Sequence, residues 1–183
     1  MKKIFFKINY AGFAALFIIF SSLAYGFDPE YGEKPKELTK IEYLDGRPVN
    51  LDDFKGHPTI LYFGADWCGP CRDFGRPAII SMWGKYKDKG LRIIYVNADD
   101  NSTRPNKITE SENIGFPIAM AKLDVCPVGK CPYGIKEHGS FGKIYMFPSA
   151  FILNADGIVT GKLQGGKGIA SNINSELLKV LKP

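Results

Sequence analysis

Two cysteines three residues apart, Cys68 and Cys71, stand between a run with the pattern of a buried strand and a run that repeats like a helix. This arrangement constrains the fold more than any other feature. Thr59-Ile60-Leu61-Tyr62-Phe63 is continuously apolar and β-branched over strand length, the pattern of a central strand covered on both faces. Downstream, Ile79, Met82, Trp83 and Tyr86 recur at helical spacing while Lys85, Lys87, Asp88 and Lys89 fall on the wet side, and Gly90 supplies the stop. Leu91 to Val96 is a second buried run. Two such strands joined by a helix of this length predict a right-handed parallel βαβ unit with the cysteines at the helix N-terminus.

Elsewhere the pattern is of short strands and turns. Ile41 to Leu44, the turn-forming Asp45-Gly46 and Arg47-Pro48-Val49 predict a hairpin. Arg104 to Asn113 is a secondary helix candidate, and Phe116 to Ala121 a short strand. Residues 122–147, rich in Gly, Pro and Cys, read as an inserted loop. Ala150 to Leu153 and Ile158 to Leu163, joined by Asn154-Ala155-Asp156-Gly157, predict a second hairpin, and Ile169, Ile173, Leu177 and Leu181 mark the buried stripe of a C-terminal helix.

The first 26 residues read as an address and not as part of this fold. Lys2, Lys3 and Lys7 form a positive leader, Ala11 to Phe20 is an almost unbroken apolar run, and small residues around Ala24 offer a cleavage site, so residues 1–26 are expected to be a secretory signal peptide. The alternative is an uncleaved membrane tether by residues 8–24 facing the periplasm. Residues 27–40, with Pro29 and Pro35, are expected to be a flexible lead-in, and residues 41–183 a single domain. Three of the 24 basic residues belong to the leader, which leaves 21 against 19 acids, and this near balance gives a nucleic-acid role no support. With 45% hydrophobic and 13% aromatic residues the chain can fill a core.

An exported chain with four cysteines is expected to carry disulfides. Cys68 would sit where unpaired backbone N–H groups and the positive end of the helix dipole favour a thiolate, making it a nucleophile, and Cys71, one turn further in, could resolve a mixed disulfide. The structural alternatives are half a zinc site or an inert bridge, and zinc would want two more ligands at comparable spacing. Cys126 and Cys131 flank a Pro and a Gly and fit that poorly, so no metal is assigned. This second pair is expected to be a structural disulfide. Its alternatives are a second redox pair and a copper site completed by His138.

Trp67-Cys68-Gly69-Pro70-Cys71 resembles the thioredoxin active-site sequence. The wider stretch from Tyr43-Leu44-Asp45-Gly46-Arg47-Pro48-Val49 through Leu51-Asp52-Asp53-Phe54-Lys55-Gly56 to Phe63-Gly64-Ala65-Asp66 is similar to exported reductases of the TlpA/ResA type. That resemblance implies an α/β, thioredoxin-like three-layer sandwich with a central mixed four- or five-stranded sheet, flanking helices and an inserted cysteine-containing loop. It implies a cis peptide bond at Phe147-Pro148 opposite the cysteines, and a substrate surface of Trp67, Gly69, Pro70, Phe147 and Pro148. The implied function is thiol–disulfide exchange, most simply reduction of disulfides in exported proteins, with a membrane electron donor and no cofactor beyond the cysteine couple. An oxidase or isomerase and a copper-binding chaperone are the alternatives. The chain departs from the pattern at the proton-handling acid. Tyr62 stands where thioredoxin has a buried aspartate and Phe74 where some relatives have a glutamate, leaving Asp73, Glu110 and Glu112 as candidates.

Overall fold

The structure, a computed structural model, describes residues 29–36, 38, 41–98, 114–121, 141, 144 and 146–181. Its centre is the predicted βαβ unit. Strand β2 (Thr59–Gly64) is buried along its whole length and runs parallel to β3 (Arg92–Asn97), with Ile60 opposite Ile93 and Tyr62 opposite Tyr95. Helix α1 (Arg76–Tyr86) connects them and presents Ile79, Met82 and Tyr86 to the sheet. The chain leaves α1 through Gly90 at φ 86°, a conformation that a side chain would strain.

Strand β4 (Ile118–Ala121) lies parallel on β3, while β5 (Ser149–Leu153) runs antiparallel on the other side of β2 and β6 (Val159–Gln164) antiparallel on β5. Asn154 builds the β5–β6 turn by accepting N–H bonds from Asp156 and Ile158 on its side-chain oxygen, with Gly157 at φ 79°. With β1 at Ile41–Tyr43, the order among the described residues is β1-β4-β3-β2-β5-β6, six strands where four or five were expected. The additional strand is β1, the first arm of the predicted hairpin. Ile41, 1% exposed, is drawn into the core and carries its arm into antiparallel register with β4, opposite Ala121.

Strand alternation then divides the core. Ile60, Tyr62, Ile93, Tyr95 and Ile152 face α1 and the C-terminal helix α2 (Gly166–Leu178), whose Ile169, Ile173 and Leu177 form the expected stripe. Leu181 packs against the same core just beyond the end of α2. Leu61, Phe63, Ile94, Val96 and Phe151 face the opposite layer, where Val49, Phe54, Phe141 and Ile144 cover them. Residues 29–36, read from the sequence as a flexible lead-in, are tied to β6: the Gly32 N–H donates to the Val159 carbonyl at 2.9 Å, the Val159 N–H donates to Glu33 at 2.8 Å, and Lys162 pairs with Glu30 at 3.2 Å. Residues 1–26, expected from the sequence to be a signal peptide, the helix candidate at 104–113 and most of the 122–147 loop lie outside the described residues.

Candidate active site

At the C-terminal end of β2 the chain turns sharply through Ala65, Asp66 and Trp67. The Cys68 N–H donates to the Ala65 carbonyl at 3.3 Å, and the Cys71 and Arg72 N–H groups both donate to the Cys68 carbonyl, at 3.0 and 3.1 Å. Helical backbone thus begins at Cys68, as the sequence predicts, with the Cys71 N–H shared between the Cys68 carbonyl and the sulfur. The Cys71 N–H approaches Cys68 Sγ at 3.2 Å. The two cysteines form a disulfide, S–S 2.09 Å with Cα atoms 5.2 Å apart. They are unequally placed: Cys68 is 5% exposed and Cys71 fully buried. Ala65 and Ala98, at the ends of β2 and β3, pack against both.

The Phe147–Pro148 bond is cis, as the resemblance implies. Phe147 packs on the cysteine cluster and meets the ring of Trp67 edge-on at 6.0 Å, so the two substrate-surface aromatics named from the sequence are neighbours in space. Trp67 itself is 54% exposed and Met146, next to Phe147 in the chain, 49%, apolar surface that water would leave readily for a partner chain. Met146 was not foreseen. Ser149 fixes its carbonyl with a 2.7 Å hydrogen bond.

Gly165 and Gly166 were also missed, because a glycine pair ahead of a helix reads as an ordinary start. The Gly165 N–H donates to the Pro148 carbonyl at 2.9 Å, and a Cβ on Gly166 would overlap the backbone carbonyl of Pro70. One dipeptide thereby spaces the cysteine turn from the proline loop. Gly166→Ala is expected to destabilise the protein by about 1–3 kcal/mol, since backbone cannot move aside as a side-chain tip can. Gly168→Ala, where a Cβ meets nothing within 4 Å, is expected to be neutral or to stabilise by up to about 1 kcal/mol. Urea unfolding of the two variants checks the contrast.

Among the described residues, the candidate Asp73 does not restore the missing acid. Tyr62 is fully buried beneath the site, with its hydroxyl against Gly75. Asp73 is exposed on the helix surface and is not turned inward. The charged contact the sequence did not reveal is between Asp66 and Arg76, 2.6 Å apart, with Arg76 buried. An arginine one turn into a helix reads as a solvated charge, which is why it escaped notice. Glu110, Glu112, Cys126, Cys131 and His138 lie outside the described residues, and among the described residues no cluster of three metal-ligating side chains is present.

Comparison with known proteins agrees with this geometry. Residues 34–162 match the AhpC/TSA family. The thiol-disulfide oxidoreductase ResA of Bacillus cereus is 28% identical over 169 residues, covering 87% of this chain and 90% of the relative. ResA of Bacillus thuringiensis subsp. konkukian is 30% identical over 122 residues, 67% of this chain and 63% of the relative. Among solved structures, a Chlorobium tepidum protein assigned as the thiol:disulfide interchange protein DsbE superposes with a TM-score of 0.59 at 26% identity, over 82% of this chain and 99% of that one. StoA from Bacillus subtilis shares the fold, with a TM-score of 0.53 at 18% identity over 79% and 98% of the two chains. The chain belongs to the AhpC/TSA family, and within it has the thioredoxin-like fold and adjacent cysteine pair of a thiol–disulfide oxidoreductase.

Proposed function

We propose that this chain is an exported protein-disulfide reductase in which Cys68 attacks and Cys71 resolves. The observation that carries the reading is the asymmetry of the pair: Cys68 keeps 5% of its surface exposed and its sulfur accepts the Cys71 N–H, while Cys71 is fully buried. In the reduced protein the Cys68 thiolate attacks one sulfur of a client disulfide, forming a mixed disulfide and releasing the other client sulfur as a thiolate that takes up a proton. The Cys71 thiol, on losing its proton, then attacks Cys68 Sγ. The Cys68–Cys71 bond forms, the mixed disulfide breaks, and the second client sulfur leaves and is protonated. Two electrons pass to the client, and a dithiol donor must supply two more before the next cycle. A membrane protein is the proposed donor, in keeping with the leader at residues 1–26.

Trp67, Gly69, Pro70, Phe147 and Pro148 are the proposed docking surface, with Met146 added from the structure. A client chain laid along the proline loop would bring its disulfide over Cys68 while its apolar side chains cover the Trp67–Phe147 pair. Export to the periplasm rests on the leader. Among the described residues no helix is long and apolar enough to cross a membrane.

Equilibration of the full chain with glutathione tests the direction of electron flow. Gly-Pro between the cysteines resembles the reducing end of the thioredoxin series, so the couple is expected near about −270 mV. A value near about −120 mV, the strongly oxidising end, would assign the protein to disulfide formation instead.

A further inference from the structure

Between Cys71 and α1 the chain makes a π-turn, Cys71–Gly75, closed by the Arg76 N–H on the Cys71 carbonyl. The bond spans five residues instead of the four of an α-helix, so the turn holds one residue more. Gly75 is the fitting residue there, because a Cβ would overlap the Tyr62 hydroxyl and press on Pro148. Tyr62 beneath, Gly75 against it and the extra residue in the turn belong together. Their consequence is the placement of Arg76.

Arg76 touches both ends of the cysteine turn. Its backbone N–H holds the Cys71 carbonyl, and its Nη1 donates to Asp66 Oδ1 at 2.6 Å, two residues ahead of Cys68. The guanidinium side chain is 5% exposed and the carboxylate 34%. Arginine stays positive at any accessible pH, and a buried positive charge requires a counter-charge. Cys68 itself is only 5% exposed, so a charge held beside it is screened less than in bulk water. The other charges of the segment are wetter: Arg72 and Asp73 are exposed, and Lys167 lies 5.8 Å from the Phe74 ring.

We infer that the Asp66–Arg76 ion pair is the electrostatic control on Cys68. The guanidinium stabilises the Cys68 thiolate and the carboxylate opposes it, so the balance of the pair sets how much thiolate is present and how readily the disulfide is reduced. Both are positioning residues, since neither exchanges bonds with the client. The inference rests on Cys68 being the attacking thiol.

The test uses Asp66→Asn, Arg76→Gln, the double variant and Arg76→Lys in the full chain. Alkylation of the reduced protein by iodoacetamide is followed at the Cys68 peptide, at one pH where the thiol is partly ionised, and the glutathione equilibrium is measured alongside. Asp66→Asn is expected to speed alkylation roughly 3- to 10-fold and to shift the equilibrium toward the dithiol, because the carboxylate that opposes the thiolate is removed. Arg76→Gln is expected to slow it by a similar factor, the double variant to return within about twofold of wild type, and Arg76→Lys to stay near wild type. Single variants that move in the same direction, or changes below about twofold, would show a purely structural tie and overturn the inference. If Arg76→Gln does not fold, Asp66→Asn decides alone, and unchanged or slower alkylation overturns it. Wild-type protein unable to reduce insulin would instead remove the reductase reading itself, whereas active wild type with non-diverging variants removes only this inference.

Discussion

Cys71→Ser protein, reduced and mixed with a disulfide-bearing client, is expected to accumulate as a mixed disulfide through Cys68. Cys68→Ser protein should form none. The reason is geometric. Cys68 is the cysteine of the pair that keeps some exposed surface, and a backbone N–H is directed at its sulfur. Cys71 is fully buried, and its route to reaction is through Cys68. Turnover in a protein-disulfide reduction assay should fall by roughly 10³-fold or more in Cys68→Ser, since the attacking group is gone. Cys71→Ser should lose turnover to a comparable extent yet keep the first bond-forming step. Equal trapping through either cysteine would contradict the assignment of roles. Non-reducing electrophoresis followed by peptide mass mapping reads both outcomes.

The second large effect is on stability. Phe151→Ala is expected to destabilise the fold by roughly 3–5 kcal/mol, a considerable share of the roughly 5–15 kcal/mol that holds a domain together. Phe151 is fully buried on β5, edge-on to Phe141 at 5.0 Å and to Phe63 at 6.0 Å. Three core aromatics therefore lose a neighbour or their own ring at once, on the strand that follows Pro148 directly. Urea unfolding should show a lower midpoint with an unchanged slope. A loss below about 1 kcal/mol would mean that Phe141 and Phe63 close the gap, contrary to the close packing seen here.

The βαβ unit, both hairpins and the C-terminal helix were legible because each rests on local pattern: a five-residue apolar run in β2, helical spacing from Ile79 to Tyr86, Asn-Ala-Asp-Gly between β5 and β6. What escaped was tertiary. The pairing of β1 with β4 joins segments about eighty residues apart, and nothing within Ile41–Tyr43 names its partner. The site shows the same division. Cys68, Cys71 and the cis Phe147–Pro148 bond follow from motifs, whereas Met146, Gly165, Gly166 and the Asp66–Arg76 pair take their meaning from contacts across the fold. The π-turn was hidden for a related reason. One added residue leaves the helical pattern from Ile79 onward intact and changes only where the turn before it points Phe74, Gly75 and Arg76. Asp73, left on the surface by that turn, shows why an acid near a cysteine in sequence need not serve it in space.

The most direct test of Cys68 and Cys71 as a couple that exchanges with protein disulfides is to follow the peptide containing both by mass spectrometry while fully reduced wild-type protein is incubated with insulin. The predicted result is that this peptide loses two hydrogens, forming the Cys68–Cys71 bond in step with the opening of insulin disulfides. A peptide that stays in the dithiol form while insulin remains closed would contradict it.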